Sequence, residues 1–243
     1  MKNLTGKLAI VTGASRGLGR VVAGVLAGRG TDLVISARTG PALEDAADDL
    51  RSRGVRVDTV PGDITDAAVR SRLVAAAHER GGLDLLVNNA SELGAIGPLS
   101  RLDVGALGRI FPVNVGAPLA LVQLVLPLLS ARQGLIVNVT SDAAVAAYPG
   151  WGQYGASKAA LELITRTLAA ELREQHVSAV AVDPGDMRTD MHQAAFPDED
   201  ISDRPLPDVT VPFWNWLFDQ EPEQVRGLRF AAQQENAPWL QPA

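Results

Sequence analysis

A tyrosine and a lysine stand four residues apart in the segment Tyr154-Gly155-Ala156-Ser157-Lys158. On a helix this spacing places the phenol and the ammonium on one face, one turn apart. A free phenol has a pKa of about 10, and a neighbouring cation lowers that pKa because it favours the phenolate. The pair therefore suits proton exchange with a carbonyl or an alcohol, although the same spacing also occurs on ordinary helix surfaces.

A glycine-rich loop near the amino terminus follows the apolar run Leu8–Val11 and reads Thr12-Gly13-Ala14-Ser15-Arg16-Gly17-Leu18-Gly19. Glycines between a strand and a helix let the backbone approach a diphosphate, and the helix N-terminus offers unpaired N–H groups. The alternative is a tight turn whose glycines serve only close packing. Because the loop stands between a predicted strand and a predicted helix, we favour a nucleotide site.

The end of the second predicted strand, Ile35-Ser36-Ala37-Arg38, indicates which nucleotide would bind. A carboxylate here would bind the ribose hydroxyls of NAD and repel a 2′-phosphate, but Ala37 stands in its place. Arg38 follows, and Arg16 can approach the same pocket from the glycine loop. Two guanidinium groups suit a phosphate, so we predict NADP(H) rather than NAD(H). The alternative for Arg38 is an exposed arginine at the start of a loop.

Short apolar runs alternate along the chain with longer segments of helical period, and this alternation predicts the fold. Strands that are apolar on consecutive positions are typical of a parallel sheet buried on both faces. We predict an α/β fold, a Rossmann-type doubly wound parallel sheet with helices on both faces, as one domain over residues 1–243. The predicted strands are Leu8–Val11, Asp32–Ala37, Arg56–Val60, Leu83–Val87, Leu135–Val139, Val177–Val182 and, less clearly, Gly227–Ala231. The predicted helices are Leu18–Arg29, Pro41–Arg53, Ala67–Arg80 (capped by Thr65 or Asp66), Ser100–Leu129 and Tyr154–Gln175.

Two segments depart from this regular pattern. Pro112, Pro118 and Pro127 lie inside the fourth predicted helix, so we expect a local distortion near Asn114. The segment from about 187 to 222 is rich in proline, acids and aromatic residues, and we predict a partly helical lid over the substrate site. Its aromatic residues would either exclude water from an apolar substrate or form a buried helix face or an oligomer interface. These aromatic residues are Phe196, Phe213, Trp214, Trp216 and Phe218.

Composition excludes several other classes of function. The chain has 243 residues with 47% hydrophobic residues, a size and composition that suit one globular core. It has no cysteine, which excludes disulfides and thiolate chemistry, and its three histidines show no ligand spacing, so we expect no metal. The net charge of −6 argues against nucleic acid, and no stretch reads as a signal peptide or a membrane span. We expect a cytoplasmic protein.

With the glycine loop and the Tyr154/Lys158 pair in place, the chain resembles the short-chain dehydrogenase/reductase family over about residues 5 to 191. The glycine loop resembles that of the single-domain members, and Asp63 in Gly62-Asp63-Ile64 matches the aspartate that meets adenine. Asn88-Asn89-Ala90 resembles the Asn-Asn-Ala-Gly motif, with Ser91 in place of the glycine. Asn114 and Ser141 fall where the family has its active-site asparagine and serine. Pro184-Gly185, followed by Met187 and Thr189, resembles the segment that holds the nicotinamide carboxamide.

The resemblance implies hydride transfer between nicotinamide and a carbonyl or alcohol carbon. Tyr154 would donate or remove the proton, and Lys158 would lower the tyrosine's pKa and bind the nicotinamide ribose. Ser141 would fix the substrate oxygen, while Asn114 would hold a water that links Lys158 to solvent. The implied cofactor contacts are Gly13, Ser15, Arg16, Gly17, Leu18, Gly19, Arg38, Asp63, Ile64, Asn89, Ala90, Tyr154, Lys158, Pro184, Gly185, Met187 and Thr189.

The departures from the family pattern concern Ser91, Asp186 and the C-terminus. Ser91 is tolerable if its backbone stays in a region open to L-residues. Asp186 puts a carboxylate near the cofactor or substrate mouth, or is a solvated loop acid. The C-terminus lacks the glycine-rich ending of many members, although the family still suggests a homodimer or homotetramer built through the two long helices.

Our first functional hypothesis is an NADP(H)-dependent reductase acting on a small ketone or aldehyde of mainly apolar character. A non-catalytic NADPH-binding regulator or scaffold of the same fold is the alternative, but such a binder has no need of Asn114, Ser141, Tyr154 and Lys158 together. An epimerase or dehydratase is a third hypothesis, and the chain lacks room for that branch's extra substrate domain.

Overall fold

Seven parallel strands form one sheet in the computed structural model, which describes residues 3–234. The strands lie in the order β3-β2-β1-β4-β5-β6-β7, so the chain reverses direction across the sheet between β1 and β4. This arrangement confirms the predicted Rossmann-type fold, and β7 confirms the last candidate strand. The strands are β1 Leu8–Thr12, β2 Asp32–Ala37, β3 Val57–Pro61, β4 Leu85–Asn88, β5 Leu135–Val139, β6 Ser178–Asp183 and β7 Arg229–Ala231.

Helices cover both faces of the sheet, and each face has its own core. Alternate residues of β1 point in opposite directions, so Ala9 and Val11 enter one core while Leu8 and Ile10 enter the other. The helices are α1 Gly17–Gly28, α2 Gly40–Arg51, α3 Ala67–Glu79, α4 Leu107–Phe111, α5 Ala117–Arg132, α6 Gly152–Glu171, α7 Asp190–Ala195 and α8 Val211–Asp219. Asp66 caps α3, as expected, by accepting a hydrogen bond from the Ala68 N–H at 2.8 Å.

The predicted distortion near Asn114 is a π-helical turn over Pro112–Gly116, between α4 and α5. The sequence pattern had predicted one helix from Ser100, whereas a 3₁₀ turn at Val104–Ala106 starts the helical stretch. A proline removes one backbone donor, and a widened turn is a common way to absorb that loss inside a helix. Pro127 lies within α5 and does not end it.

The continuous helical stretch Val104–Arg132 has the length and the mean hydropathy, 1.8, of a helix that could cross a membrane. Our expectation that no stretch reaches this length was therefore wrong. Its inner face, with Leu121, Val125 and Leu129, is wholly buried against the sheet. A core helix of a sheet protein passes the same test of length and composition.

The aromatic helix α8 is part of the core, which corrects one reading of the segment 187–222. Phe213, Trp214, Leu217 and Phe218 have 0% exposure and pack in the same core as α1. The Trp214 indole N–H donates to the Thr210 hydroxyl at 2.9 Å, so the ring's polar group is also satisfied inside. The segment is partly helical, as predicted, and these aromatic residues form a buried helix face.

Candidate active site

A cleft of about 1650 Å³ opens at the carboxyl ends of β1, β4, β5 and β6. Ligands of open α/β sheets bind at this edge, where the strand order reverses. The cleft is lined by every residue that the sequence predicted for the site except Asn114. Those lining residues are Gly13, Ser15, Arg16, Gly17, Leu18, Gly19, Arg38, Asp63, Ile64, Asn89, Ala90, Ser141, Tyr154, Lys158, Pro184, Gly185, Met187 and Thr189.

The glycine loop has the geometry of a phosphate cradle. Gly13 and Gly17 have positive φ values of 69° and 55°, which favour glycine. A Cβ atom on Gly19 would lie 2.2 Å from the Gly13 carbonyl oxygen, so the loop packs too closely for any side chain there. The side chain of Arg16, at the N-cap of α1, makes no capping hydrogen bond, and the first turn of the helix has no acidic residue. The loop and the helix terminus therefore fit a diphosphate.

Asn89 and Thr12 hold the loop in this shape. The Asn89 amide donates to the Thr12 and Gly13 carbonyl oxygens at 2.9 and 3.2 Å. The Thr12 hydroxyl in turn accepts from the N–H groups of Asn89 and Ala90, both at 3.0 Å. Asn89 was predicted as a cofactor contact. In the structure, its side-chain amide donates its hydrogen bonds to the backbone of the glycine loop.

The two arginines predicted for a 2′-phosphate are each paired with a carboxylate. Arg38 donates to Glu92 at 2.8 Å, and Arg16 is paired with Asp190 at the start of α7. All four side chains remain at least one-third exposed, so the pairs are weak and can exchange partners. The pair of Arg16 and Asp190 joins the glycine loop directly to α7.

The Asp63 carboxylate lies in the cleft as a hydrogen-bond acceptor with a lowered pKa. Its carboxylate receives hydrogen bonds from the N–H and the hydroxyl of Thr65, at 2.8 and 2.7 Å. These bonds hold the pKa of Asp63 below its ordinary value, and the charge of Arg38 adds to the effect. The ionised carboxylate stands beside Ile64 at the wall where the sequence predicted adenine.

Tyr154 and Lys158 lie on α6 at the floor of the cleft and are 8% and 2% exposed. The Lys158 ammonium lies 5.6 Å from the centre of the Tyr154 ring and donates to the Val139 carbonyl at 2.9 Å. Burial lowers the pKa of Lys158 to about 8, and the charge of Asp183 opposes that shift. Helical spacing thus brings the two groups together, as predicted.

The pKa of Tyr154 is raised, contrary to the expectation that Lys158 would lower it. Burial is the largest cause, and the negative charges of Asp183 and Asp142 add to it. Hydrogen bonds with the hydroxyls of Ser141 and Ser91 act in the opposite direction. In this state Tyr154 is a neutral phenol at physiological pH and suits the donation of a proton.

Ser141 follows β5 and directs its hydroxyl into the site. The Ser141 hydroxyl donates to the Asp142 carboxylate at 2.9 Å and accepts from the Ala143 N–H at 3.2 Å. Asp142 also receives the Tyr148 hydroxyl at 2.6 Å, which raises the pKa of Tyr148. Ser141 and Tyr154 both line the cleft, and the Ser141 hydroxyl acts to lower the pKa of Tyr154.

Asn114 lies behind the cleft, where its side chain is 1% exposed. Its carbonyl oxygen accepts from the Glu92 N–H at 2.8 Å and from the Ser91 hydroxyl at 3.1 Å. Its amide nitrogen donates to the Glu92 carbonyl at 2.9 Å and to the Ser157 hydroxyl at 3.0 Å. All the hydrogen-bonding capacity of the amide is therefore used inside the protein. The side chain ties the loop after β4 to α6 and has no position left for a water.

Pro184-Gly185 and the residues after it form the wall opposite the glycine loop. Gly185 has a φ of 74°, and the Gln233 amide donates to the Pro184 and Asp186 carbonyl oxygens at 2.9 and 2.8 Å. The Thr189 hydroxyl caps α7 by accepting from the His192 N–H at 3.2 Å. This wall is held by hydrogen bonds at both ends.

Sequence reasoning missed a buried charge cluster behind Ser141. Arg229 of β7 donates to Glu162 at 2.9 Å, to Asp183 at 3.1 Å and to the Ser141 carbonyl at 3.3 Å. Glu162 follows Lys158 by one helical turn, and this spacing is the feature of the sequence that could have placed Glu162 near the site. Arg229 stands 67 residues after Glu162, and no local pattern connects it to the site.

The fold and this site define a nicotinamide-dependent oxidoreductase, and comparisons with known proteins agree. The family model for short chain dehydrogenases matches residues 7–200. An uncharacterized oxidoreductase of Saccharomyces cerevisiae is 39% identical over 189 residues, which cover 76% of this chain and 72% of that protein. The L-xylo-3-hexulose reductase of Hypocrea jecorina is 37% identical over 220 residues, covering 79% and 70%. A short chain dehydrogenase of Shigella flexneri, solved in complex with NADP, is 28% identical with a TM-score of 0.88, covering 96% and 100%.

The chain therefore belongs to the short-chain dehydrogenase/reductase family. It is an oxidoreductase that acts on CH–OH and C=O groups with a nicotinamide cofactor.

Proposed function

We propose that the protein is an NADP(H)-dependent reductase, reversible in principle, with Tyr154 as its acid and base. The observation that carries this proposal is that Tyr154, Ser141 and Lys158 line the same cleft as the glycine loop, with the buried Lys158 ammonium 5.6 Å from the centre of the Tyr154 ring. A carbonyl oxygen that gains negative charge needs hydrogen-bond donors already aimed at it.

In reduction, Tyr154 donates its proton to the substrate oxygen while Ser141 holds that oxygen by a hydrogen bond. Bound NADPH would supply the hydride to the carbonyl carbon. The Lys158 ammonium stabilises the phenolate that remains and binds the nicotinamide ribose. In oxidation, Tyr154 removes the proton from the alcohol. Asn114 holds the Ser91–Glu92 loop against α6 and acts on the proton path indirectly.

Arg38 and Arg16 support the preference for NADP(H). Both guanidinium groups line the cleft, and Ala37 stands at the position where a carboxylate would bind the ribose hydroxyls of NAD. The glycine loop and the uncapped start of α1 would hold the diphosphate, and the Pro184–Thr189 wall would hold the carboxamide. Each arginine would exchange Glu92 or Asp190 for the 2′-phosphate when the cofactor binds.

The substrate-facing wall supports a carbonyl compound of mainly apolar, flat shape. Trp151 packs edge-on to Tyr154 with ring centres 5.8 Å apart, and Phe196 lies 5.8 Å beyond Trp151. His192 continues this line at 5.0 Å from Phe196, and its Nε2 is buried with no hydrogen-bond partner among residues 3–234. The substrate body would therefore lie along the rings, with a hydrogen-bonding group at its far end.

The lid that we propose is the part of residues 187–222 that contains α7 and Phe196, since α8 belongs to the core. The described residues would form one catalytic domain. A homodimer or homotetramer in the cytoplasm remains part of the proposal, on the strength of the family.

The test is oxidation of NADPH against a panel of aromatic and aliphatic ketones and aldehydes. We expect turnover that Tyr154→Phe reduces by about a hundredfold to ten-thousandfold, because general acid catalysis contributes 10²–10⁴-fold. Tyr148→Phe is the matched control, because it removes the other tyrosine hydroxyl and keeps the acid.

Activity that survives in Tyr154→Phe would refute the mechanism. Tight binding of NADPH with no turnover of any carbonyl would favour the alternative, a non-catalytic NADPH-binding regulator.

A further inference from the structure

Arg229 of β7 ties together three elements that border the cleft. Its Nε donates to the Glu162 carboxylate of α6 at 2.9 Å, and its Nη2 donates to the Asp183 carboxylate at the end of β6 at 3.1 Å. The same Nη2 donates to the carbonyl oxygen of Ser141, just after β5, at 3.3 Å. Because the guanidinium is planar and rigid, these bonds fix the positions of the three acceptors relative to one another.

The cluster is largely buried, and its carboxylates have further partners. The side chains of Glu162 and Asp183 are 8% and 9% exposed, and that of Arg229 is 22% exposed. Glu162 also accepts from the hydroxyl of Thr140, the residue before Ser141, at 2.8 Å. The cluster therefore holds the end of β5 both through a side chain and through the backbone.

Asp183 extends this link to the wall opposite the glycine loop. One of its carboxylate oxygens accepts from Arg229, and the other accepts from the Gly185 N–H at 3.0 Å. Burial raises the pKa of Asp183, while the Gly185 N–H and the charge of Arg229 oppose that rise. Gly185 belongs to the Pro184–Thr189 wall that we propose for the nicotinamide carboxamide. Arg229 therefore joins the backbone of Ser141 to that wall.

We propose that Arg229 is a positioning residue that sets where the nicotinamide ring lies relative to the Ser141 hydroxyl. Ser141 holds the substrate oxygen in the proposed function, so this relation decides how closely the substrate carbon approaches the hydride. The inference rests on that proposed function. Arg229 itself does not line the cleft and acts through Ser141 and Asp183.

Arg229→Lys tests this role, because it keeps the positive charge and removes the planar fork that spaces the three acceptors. We expect kcat for carbonyl reduction to fall by about tenfold to a hundredfold, since a small misplacement of reacting groups can cost about 10²-fold. The rate is expressed per cofactor site, counted by titration with adenosine 2′,5′-bisphosphate, so that an unfolded fraction of the protein does not lower it.

The effect on the wall can be measured without a substrate. Adenosine 2′,5′-bisphosphate carries the adenosine half of NADPH and has no nicotinamide. Arg229→Lys should therefore weaken the binding of NADPH several-fold and leave the dissociation constant of the bisphosphate unchanged. A loss of folded protein alone would reduce the number of sites for both ligands alike.

Arg80→Lys is the matched control. Arg80 donates through Nε and Nη2 to Asp58 at 2.8 and 2.7 Å, and its side chain is 19% exposed, but it does not line the cleft. This variant should lose stability in denaturant, as Arg229→Lys does, and should keep the wild-type kcat and NADPH affinity.

Asp183→Asn is a second variant, nearly equal in shape to the wild type, for the case that Arg229→Lys does not fold. An NH₂ group then replaces one of the two oxygens that accept from Arg229 and from the Gly185 N–H. It should likewise weaken NADPH and leave the bisphosphate unchanged.

A wild-type kcat in Arg229→Lys would overturn the proposal. Equal weakening of NADPH and the bisphosphate, or an equal loss of kcat in Arg80→Lys, would also overturn it and leave Arg229 a structural role. Failure of the proposed function has a different signature. Tyr154→Phe would then stay active, or no carbonyl would be reduced, while the difference between NADPH and the bisphosphate would still report on Arg229.

Discussion

Burial acts oppositely on the two groups at the floor of the cleft. It raises the pKa of the Tyr154 phenol and lowers that of the Lys158 ammonium to about 8, because both groups lose water around their charged forms. The negative charge of Asp183 raises both pKa values. At neutral pH the floor therefore carries a neutral acid and a cation, the combination that reduction of a carbonyl needs.

The reductase activity should decline as the pH rises through about 8, because Lys158 then loses the charge that stabilises the phenolate. Asp183→Asn removes the negative charge that raises the pKa of Lys158. The reductase activity of this variant should therefore begin to decline at a lower pH than that of the wild type. The measurement is kcat/KM for NADPH-dependent reduction between about pH 6 and about pH 10. Asp203 is an exposed acid, so Asp203→Asn is the control and should lose activity at the same pH as the wild type. If Asp183→Asn also lost activity at the wild-type pH, the electrostatic account would be contradicted.

Glu92→Gln should strengthen the binding of NADPH. The Glu92 carboxylate accepts a hydrogen bond from Arg38 at 2.8 Å and would repel a 2′-phosphate. Exposed ion pairs are worth about 0.2–1 kcal/mol, so the dissociation constant should fall by up to about fivefold. Fluorescence titration with NADPH measures this constant, and the gain should shrink at high salt. An equal gain for NADH, which has no 2′-phosphate, would show that Glu92 acts on another part of the cofactor.

At the scale of helices and strands, local patterns identified the sheet because its strands are apolar on consecutive positions. Asp32–Ala37 and Leu135–Val139 are the predicted strands unchanged. The same patterns could not assign α8, because Phe213 and Trp214 would read alike on a lid and in a core. Their packing against α1 depends on contacts between residues nearly two hundred positions apart, which no local period reports.

Trp214→Ala and Phe196→Ala should therefore have different effects. Trp214 has 0% exposure, and removing a buried aromatic ring costs about 3–5 kcal/mol of unfolding free energy. Phe196 is only partly buried beside Trp151, so its loss should change stability little and raise KM for an apolar ketone. Denaturant unfolding and steady-state kinetics on both variants separate the two roles. Were Trp214→Ala stable and Phe196→Ala kinetically silent, the division between core and lid would be wrong.

At the scale of the whole molecule, the site is assembled from distant parts of the chain on one sheet edge. The order of motifs predicted which segments meet there, and the structure places the predicted site residues other than Asn114 along one cleft. The sequence could not predict the pKa values, hydrogen bonds and ion pairs of the site. The raised pKa of Tyr154, the saturated amide of Asn114 and the Arg229 cluster depend on burial and on partners set by tertiary packing.

The cleft joins the glycine loop on one side to α7 on the other, so the cofactor should stabilise the whole fold. A ligand at one hundred times its dissociation constant adds about 2.7 kcal/mol. For a chain of this length that raises Tm by about 5–11 °C. We expect NADPH to give this shift and NADH, at the same concentration, a smaller one.

In Arg38→Asp the order of stabilisation by the two cofactors should reverse, because a carboxylate there binds ribose hydroxyls and repels the phosphate. Arg173→Asp, at the far end of α6, should keep the wild-type order in thermal unfolding. If NADPH still stabilises Arg38→Asp more than NADH does, Arg38 does not bind the 2′-phosphate. The preference for NADPH over NADH must then come from Arg16 or from another part of the cleft.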